Sequence, residues 1–97
     1  MSAYQQQSTN RKYVGDRVRF LIEQGYSVTQ DEFAKAMGVS RLTVSQLISG
    51  NRRVTANVAK RLERVTCDSA ATWMVRQSTA DLAATKIEHI RRPKWLR

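Results

Sequence analysis

Two helix starts separated by a single glycine constrain this chain more than any other feature. In the stretch TQDEFAKAMGVSRLTVSQLISGNRR (29–53), Thr29 is followed three residues later by Glu32. That spacing is a capping box, in which each side chain satisfies a backbone N–H that the first turn leaves free. Asp31 and Glu32 also lie where the helix dipole favours acids, so they have a structural use and need no catalytic one. Phe33, Ala34 and Met37 form one apolar face, and the helix stops at Gly38. A reversal there predicts a positive φ, which a Cβ would resist. Val39 is expected to point inward, and Ser40 to cap a second short helix. Val44, Leu47 and Ile48 share the inner face of that second helix, and Gly50 ends it.

The flanking segments have the same character. Val14, Val18, Leu21 and Ile22 recur at helical spacing and predict a helix over 15–24, stopped by Gly25. Thr55 can cap a fourth helix with an inner stripe of Val58, Ala59, Leu62 and Val65. Ser69 can cap a fifth, containing Trp73 and Met74 and extending to Ile87. Pro93 argues against helix in the closing RRPKWLR. No strand pattern and no solenoid repeat are evident. The expected fold is all-α: a compact bundle of about five helices over residues 13–88, between a polar N-terminal tail (1–12) and a basic C-terminal tail (89–97).

Ninety-seven residues suit one domain with a modest core. No run is long enough for a transmembrane helix, and MSAYQQQSTNRKY lacks the apolar core of a signal peptide. Cys67 is the only cysteine, which excludes an internal disulfide and a zinc framework and fits a small half-buried residue in a reducing cytoplasm. His89 is also alone, so neither metal nor cofactor is expected. There is no Ser-His-Asp set and no glycine-rich phosphate loop, and no enzymatic activity is expected.

The net charge of +9 points to a polyanionic partner, with nucleic acid ahead of an anionic membrane. The cations are unevenly placed. Residues 29–50 carry two basic and two acidic side chains, whereas 51–68 carry five basic against two acidic and 69–97 six against two. A neutral centre with basic flanks suits a structure that reads bases centrally and grips phosphates around them.

Two short helices joined by a tight glycine turn make a helix-turn-helix. One α-helix fits the major groove of DNA, where every base pair presents a distinct pattern of donors and acceptors. The outward residues of the second helix have the required chemistry. Arg41 can take guanine through two parallel hydrogen bonds, Gln46 can take adenine, and Leu42 can touch a thymine methyl. Thr43 and Ser45 complete that face. Gln30 and Ser40, at helix starts, are candidates for phosphate contacts, as are Asn51, Arg52 and Arg53 just beyond the second helix.

The segment from Gln30 to Gly50 resembles the helix-turn-helix of the phage repressor and Cro class, the XRE family. SGNRRVTANVAKRL (49–62) is further similar to a stretch of HigA-type antitoxins, the VapI group, with Gly50, Arg52, Thr55, Ala59, Arg61 and Leu62 matching. Trp73, Gln77 and Asp81-Leu82 follow at the spacing found there, one helical turn apart. The resemblance covers about residues 13–82. It implies a cytoplasmic, nucleoid-associated bacterial protein. Such a protein binds double-stranded DNA at a palindromic operator as a homodimer, represses its own operon and neutralises a RelE/HigB-like ribonuclease toxin. The dimer surface is then expected on the fifth helix, with Trp73, Gln77, Asp81 and Leu82 as candidates; a core position is the alternative for Trp73. This chain departs from the family in having Tyr13-Val14-Gly15-Asp16 where members usually have His-Pro-Gly-Glu, and in a segment before the capping box that is one residue longer. A stand-alone XRE-type regulator of phage or mobile-element kind, without a toxin, is the alternative. A membrane-surface role for RRPKWLR lacks the amphipathic stripe that such binding needs.

Overall fold

The computed structural model describes residues 12–89 and 91–96. The expected tail over 1–12 lies almost wholly outside them. Among the described residues five α-helices follow one another: α1 (Lys12–Phe20), α2 (Gln30–Met37), α3 (Arg41–Ser49), α4 (Ala56–Val65) and α5 (Ala70–Ala84). A π-helical turn, Leu21–Gly25, continues α1. Among the described residues there is no strand.

Local signals set most of the boundaries. Thr29 and Glu32 form both bonds of the capping box, at 3.0 and 2.8 Å. Ser40, Thr55 and Ser69 each accept from the backbone N–H three residues on and start α3, α4 and α5. Such caps are worth about 1 kcal/mol each. Gly38 adopts φ 77° and Gly50 φ 84°, both left-handed, and they close α2 and α3.

Two expected helix ends are corrected. Gly25 does not terminate its helix through a left-handed conformation; Ser27 takes the positive φ instead, at 54°. The Tyr26 N–H reaches back five residues to the Leu21 carbonyl, and the Val28 N–H reaches the Ile22 carbonyl. A π turn holds one more residue between donor and acceptor than an α turn, so the backbone between Leu21 and Tyr26 is widened. At the other end of the chain, α5 stops at Ala84 rather than Ile87. The Thr85 hydroxyl donates to the Asp81 carbonyl at 2.7 Å, a local bond that competes with further helix.

The core is a single cluster. Val14, Val18, Leu21 and Ile22 meet Phe33, Ala34 and Met37 of α2, Val44 and Leu47 of α3, Val58, Ala59 and Leu62 of α4, and Trp73 of α5. Helix α3 packs on α1 and α2, while α5 packs on α4 and α1. One approach is unusually close. A Cβ placed on Gly15 would run into the Ile48 carbonyl of α3, backbone against backbone. Helix α1 therefore seats the C-terminal half of α3 at a distance that no side chain at position 15 permits.

Candidate functional site

Helices α2 and α3 form the expected helix-turn-helix. Phe33, Ala34, Met37, Val44 and Leu47 are all buried, and Val39 packs against them from the turn. The Gly38 and Val39 N–H groups close the turn on the carbonyls at the end of α2. Arg61 of α4 adds a clamp that sequence reasoning did not assign. Its guanidinium donates to the Met37 carbonyl at 3.0 Å and the Gly38 carbonyl at 3.1 Å. A cation there also complements the negative end of the α2 dipole. Asn57 holds the same guanidinium through Nε at 2.8 Å.

This scaffold leaves one face of α3, a helix of nine residues about 13 Å long, turned outward. Arg41, Leu42 and Ser45 are exposed; Thr43 and Gln46 are half-buried. The Thr43 hydroxyl lies 3.1 Å from that of Ser40, so both belong to the cap. Leu42 is 61% exposed and touches no core. Arg41 occupies the first position of α3, at the positive end of its dipole, where a cation is electrostatically disfavoured. Its nearest carboxylate is Asp31, at 3.6 Å, and both side chains are about two-thirds exposed. An ion pair so exposed contributes about 0–1 kcal/mol. Folding thus gives little reason for an arginine here. Gln30 is half-buried at the start of α2.

The loop after α3 is built from longer-range contacts. Arg52 Nε donates to Gln46 Oε1 at 3.0 Å, which assigns the oxygen side of the Gln46 amide to Arg52. An arginine nitrogen can only donate, so the orientation of that amide follows from the bond. Arg53 makes a two-pronged bond to both Asp81 oxygens, at 2.8 and 2.6 Å. The hydrogen bond from Arg53, and then that from Gln77, hold the Asp81 carboxyl below its usual range, while Asp81 raises the Arg53 guanidinium. In the free protein, then, Arg53 already has a carboxylate partner. Asn51 and Arg52 are exposed beside it.

The Trp73-Gln77-Asp81 series requires a correction. Trp73 has no exposed surface and Gln77 is 6% exposed, so neither has a face to offer a second copy. Gln77 accepts from the Val54 N–H at 2.8 Å and donates to Asp81 at 3.0 Å. Trp73 packs in the core, with its indole N–H on the Thr66 hydroxyl at 3.2 Å and the Arg76 guanidinium 4.6 Å above its ring. The series is an internal clamp: it fixes the 51–54 loop against α5. Leu82, by contrast, is 76% exposed.

A second knot braces the opposite end of α5. Asp68 receives Arg17 of α1 at 3.2 Å and Arg76 of α5 at 2.9 Å. Burial pushes its carboxyl up, but the hydrogen bonds from Arg76 and Arg17 more than offset this, and it lies below its usual range. Cys67, expected half-buried, is exposed. Among the described residues no cluster of His, Cys, Asp or Glu is placed to hold a metal, and no helix is long and apolar enough to cross a membrane.

The comparisons agree with this geometry. Residues 21–66 match the helix-turn-helix family model. The chain is 32% identical to PA4674 of Pseudomonas aeruginosa, solved in complex with its 18-bp operator DNA, over 71% of this chain and 74% of that one, with a TM-score of 0.65. The chain belongs to the XRE-type helix-turn-helix family. The P. aeruginosa antitoxin HigA, solved with the higBA promoter, gives the same 32% identity and a TM-score of 0.65, over 71% of this chain and 75% of that one. A hypothetical protein from E. coli is 30% identical with a TM-score of 0.67, over 76% and 72% of the two chains. A search of curated proteins finds no significant match. This helix-turn-helix family is one of transcription regulators rather than enzymes, and HigA-type antitoxins are among the chain's structural relatives.

Proposed function

We propose that this helix-turn-helix protein is a sequence-specific DNA-binding repressor of the HigA antitoxin type. The observation that carries this reading is the outer face of α3. Arg41, Leu42, Ser45 and the oriented amide of Gln46 stand on a rigid frame, in a chain 32% identical to a protein solved on its operator. Arg41 sits at the electrostatically disfavoured end of its helix, with only a loose, exposed pair to Asp31, and this supports a guanine contact over a structural role. Gln46 reads adenine; Leu42 meets a thymine methyl; Thr43 and Ser45 line the same groove. Gln30, Ser40, Asn51 and Arg52 face phosphates, and Arg53 joins them when its bond to Asp81 is shared or released.

One such helix reads only a few base pairs, so the operator is an inverted repeat bound by a homodimer, with half-sites about one helical turn apart. The dimer contact lies on the outer side of α5. Val75 and Leu82 fall there, opposite Trp73 and Gln77 on the helix, with Met74 on the flank of that arc; the three are 61%, 76% and 37% exposed. The likeness to HigA supports a further role, neutralising a RelE/HigB-like ribonuclease toxin. The second reading, a stand-alone regulator with no toxin, is favoured by the Tyr13-Val14-Gly15-Asp16 start.

A gel shift with the DNA upstream of the chain's own gene, at near-physiological salt and with excess nonspecific duplex, tests the proposal. A discrete complex that survives competitor is expected, and footprinting then gives the half-site spacing. A smear abolished by competitor would refute sequence-specific repression. Co-purification with the product of a neighbouring small gene separates antitoxin from stand-alone regulator.

A further inference from the structure

Beyond α5 the chain neither folds back nor ends. Residues 86–89 and 91–96 are all exposed, and among the described residues none of them hydrogen-bonds to the helical body. The sequence of this segment is strongly one-signed: Lys86, Arg91, Arg92, Lys94 and Arg97 against Glu88 alone. It ends in a turn, with the Leu96 N–H on the Pro93 carbonyl, that presents Trp95 at 80% exposure.

The root of this segment is as informative as its charge. Ala84, the last residue of α5, lines the same shallow cavity as Gly50, Arg52 and Arg53. One turn earlier, Asp81 is bonded to Arg53 through both oxygens. The segment therefore leaves the body beside the loop that follows the recognition helix. Eleven residues of extended chain span about 36–40 Å. That exceeds one turn of B-DNA, about 34 Å, and is some three times the length of α3.

We infer that residues 86–96 are a second DNA-contacting element, an arm that follows the phosphate backbone outward from the Arg52–Arg53 loop. Lys86, Arg91, Arg92 and Lys94 pair with phosphates, and Trp95 lies against the sugar–phosphate edge or a flanking base step. The inference rests on the helix-turn-helix binding DNA and extends it: the arm adds affinity and footprint outside the half-site without adding base choice. A protein partner is the competing occupant. It is disfavoured because the segment is non-helical among its described residues, nearly all of one sign, and rooted at the Arg52–Arg53 loop rather than at the outer face of α5.

The test compares the full chain with a combined Lys86→Gln, Arg91→Gln, Arg92→Gln, Lys94→Gln variant. Two duplexes are used: one enriched by this chain from a randomised pool, and one of mixed sequence. The variant should keep its melting temperature and its choice between duplexes. The slope of log affinity against log salt should fall by about three to four units on both, at roughly 0.9 per phosphate lost. Trp73 is sealed in the core, so acrylamide quenching of the chain reports Trp95, and duplex should suppress it. A slope changed by less than about one unit, with Trp95 still quenched on DNA, overturns the arm. Trp95 protection produced only by the product of a neighbouring gene, with the slope unchanged, assigns the segment to a protein and also overturns it. If no duplex is enriched yet the slope falls on mixed sequence, the sequence-reading role of α3 fails and the arm stands.

Discussion

The two sides of this small molecule are held in opposite ways. On the α5 side, polar groups are consumed internally. Asp68 takes two arginines, Gln77 bonds the Val54 backbone and Asp81, and the Trp73 indole finds Thr66. On the α3 side, Arg41, Leu42 and Ser45 make almost no contact that folding needs. Buried polar groups left without partners are costly, so the first side is locked. The second keeps its hydrogen-bonding capacity for something outside the chain. The difference separates residues that shape the molecule from residues available for recognition, and substitutions on the two sides should differ in what they change.

The largest effect is expected at the centre of the locked side. Trp73→Ala should destabilise the fold by about 3–5 kcal/mol, through lost burial and a cavity. Thermal or urea unfolding measures it; a loss below about 1 kcal/mol would mean that the core does not depend on this ring. Gln77→Leu keeps the volume but leaves the Val54 N–H without an acceptor, and should cost about 1–3 kcal/mol of stability. The same variant should loosen the 51–54 loop, read as faster amide exchange at Val54 while the α2 amides are unaffected.

Arg41→Ala reverses the pattern. Stability should barely move, while specific binding weakens by about 1–3 kcal/mol and preference relaxes at one base position. Selection from a randomised pool reads that preference directly, and an unchanged consensus would remove Arg41 from the reading face.

Acid provides a subtler contrast. Asp68 has a lowered folded-state pKa, against an ordinary value of 3.8. Its contribution is therefore present above the ordinary value and is lost as pH falls through the folded one. Melting temperature followed downward from neutral pH should drop more steeply below 3.8 for the wild type than for Asp68→Asn, which has no carboxylate to protonate. Parallel acid branches would show that the knot adds nothing. The smallest expected effect is that of Arg52→Ala. It should weaken all duplexes alike and reduce the salt slope by about one unit. A loss confined to one sequence would move Arg52, through its bond to Gln46, onto the base-reading side.

What could be read from the sequence divides along the same line. Caps are local chemistry, so Thr29 with Glu32, Ser40, Thr55 and Ser69 announce their helices from residues three positions apart. Gly38 is legible for the same reason. The locked side is written in contacts across the chain: Arg17 with Asp68, 51 residues apart, and Arg53 with Asp81, 28 apart. No local rule pairs them. The spacing of Trp73, Gln77 and Asp81 shows that they share a face, but periodicity does not say whether that face looks in or out. Burial decides that it looks in. Gly15 coincides with the glycine of the family's His-Pro-Gly-Glu, but its reason, the close approach of α1 to the Ile48 carbonyl, is written in neither segment alone. Arg61 did carry a signal, its place in the family-like stretch 49–62, but its target is the backbone of Met37 and Gly38, which no sequence motif names.

The bond between Gln46 and Arg52 has a consequence for how such a protein drifts to new targets. On the function proposed above, a change at Gln46 alters the preferred base and also releases its bond to Arg52, so one mutation shifts both choice and grip. Leu42 and Ser45 are tied to nothing comparable. Retargeting can proceed through those two positions one step at a time, whereas position 46 changes well only together with 52. Within one recognition surface, some positions are free to explore and one is bound to a companion.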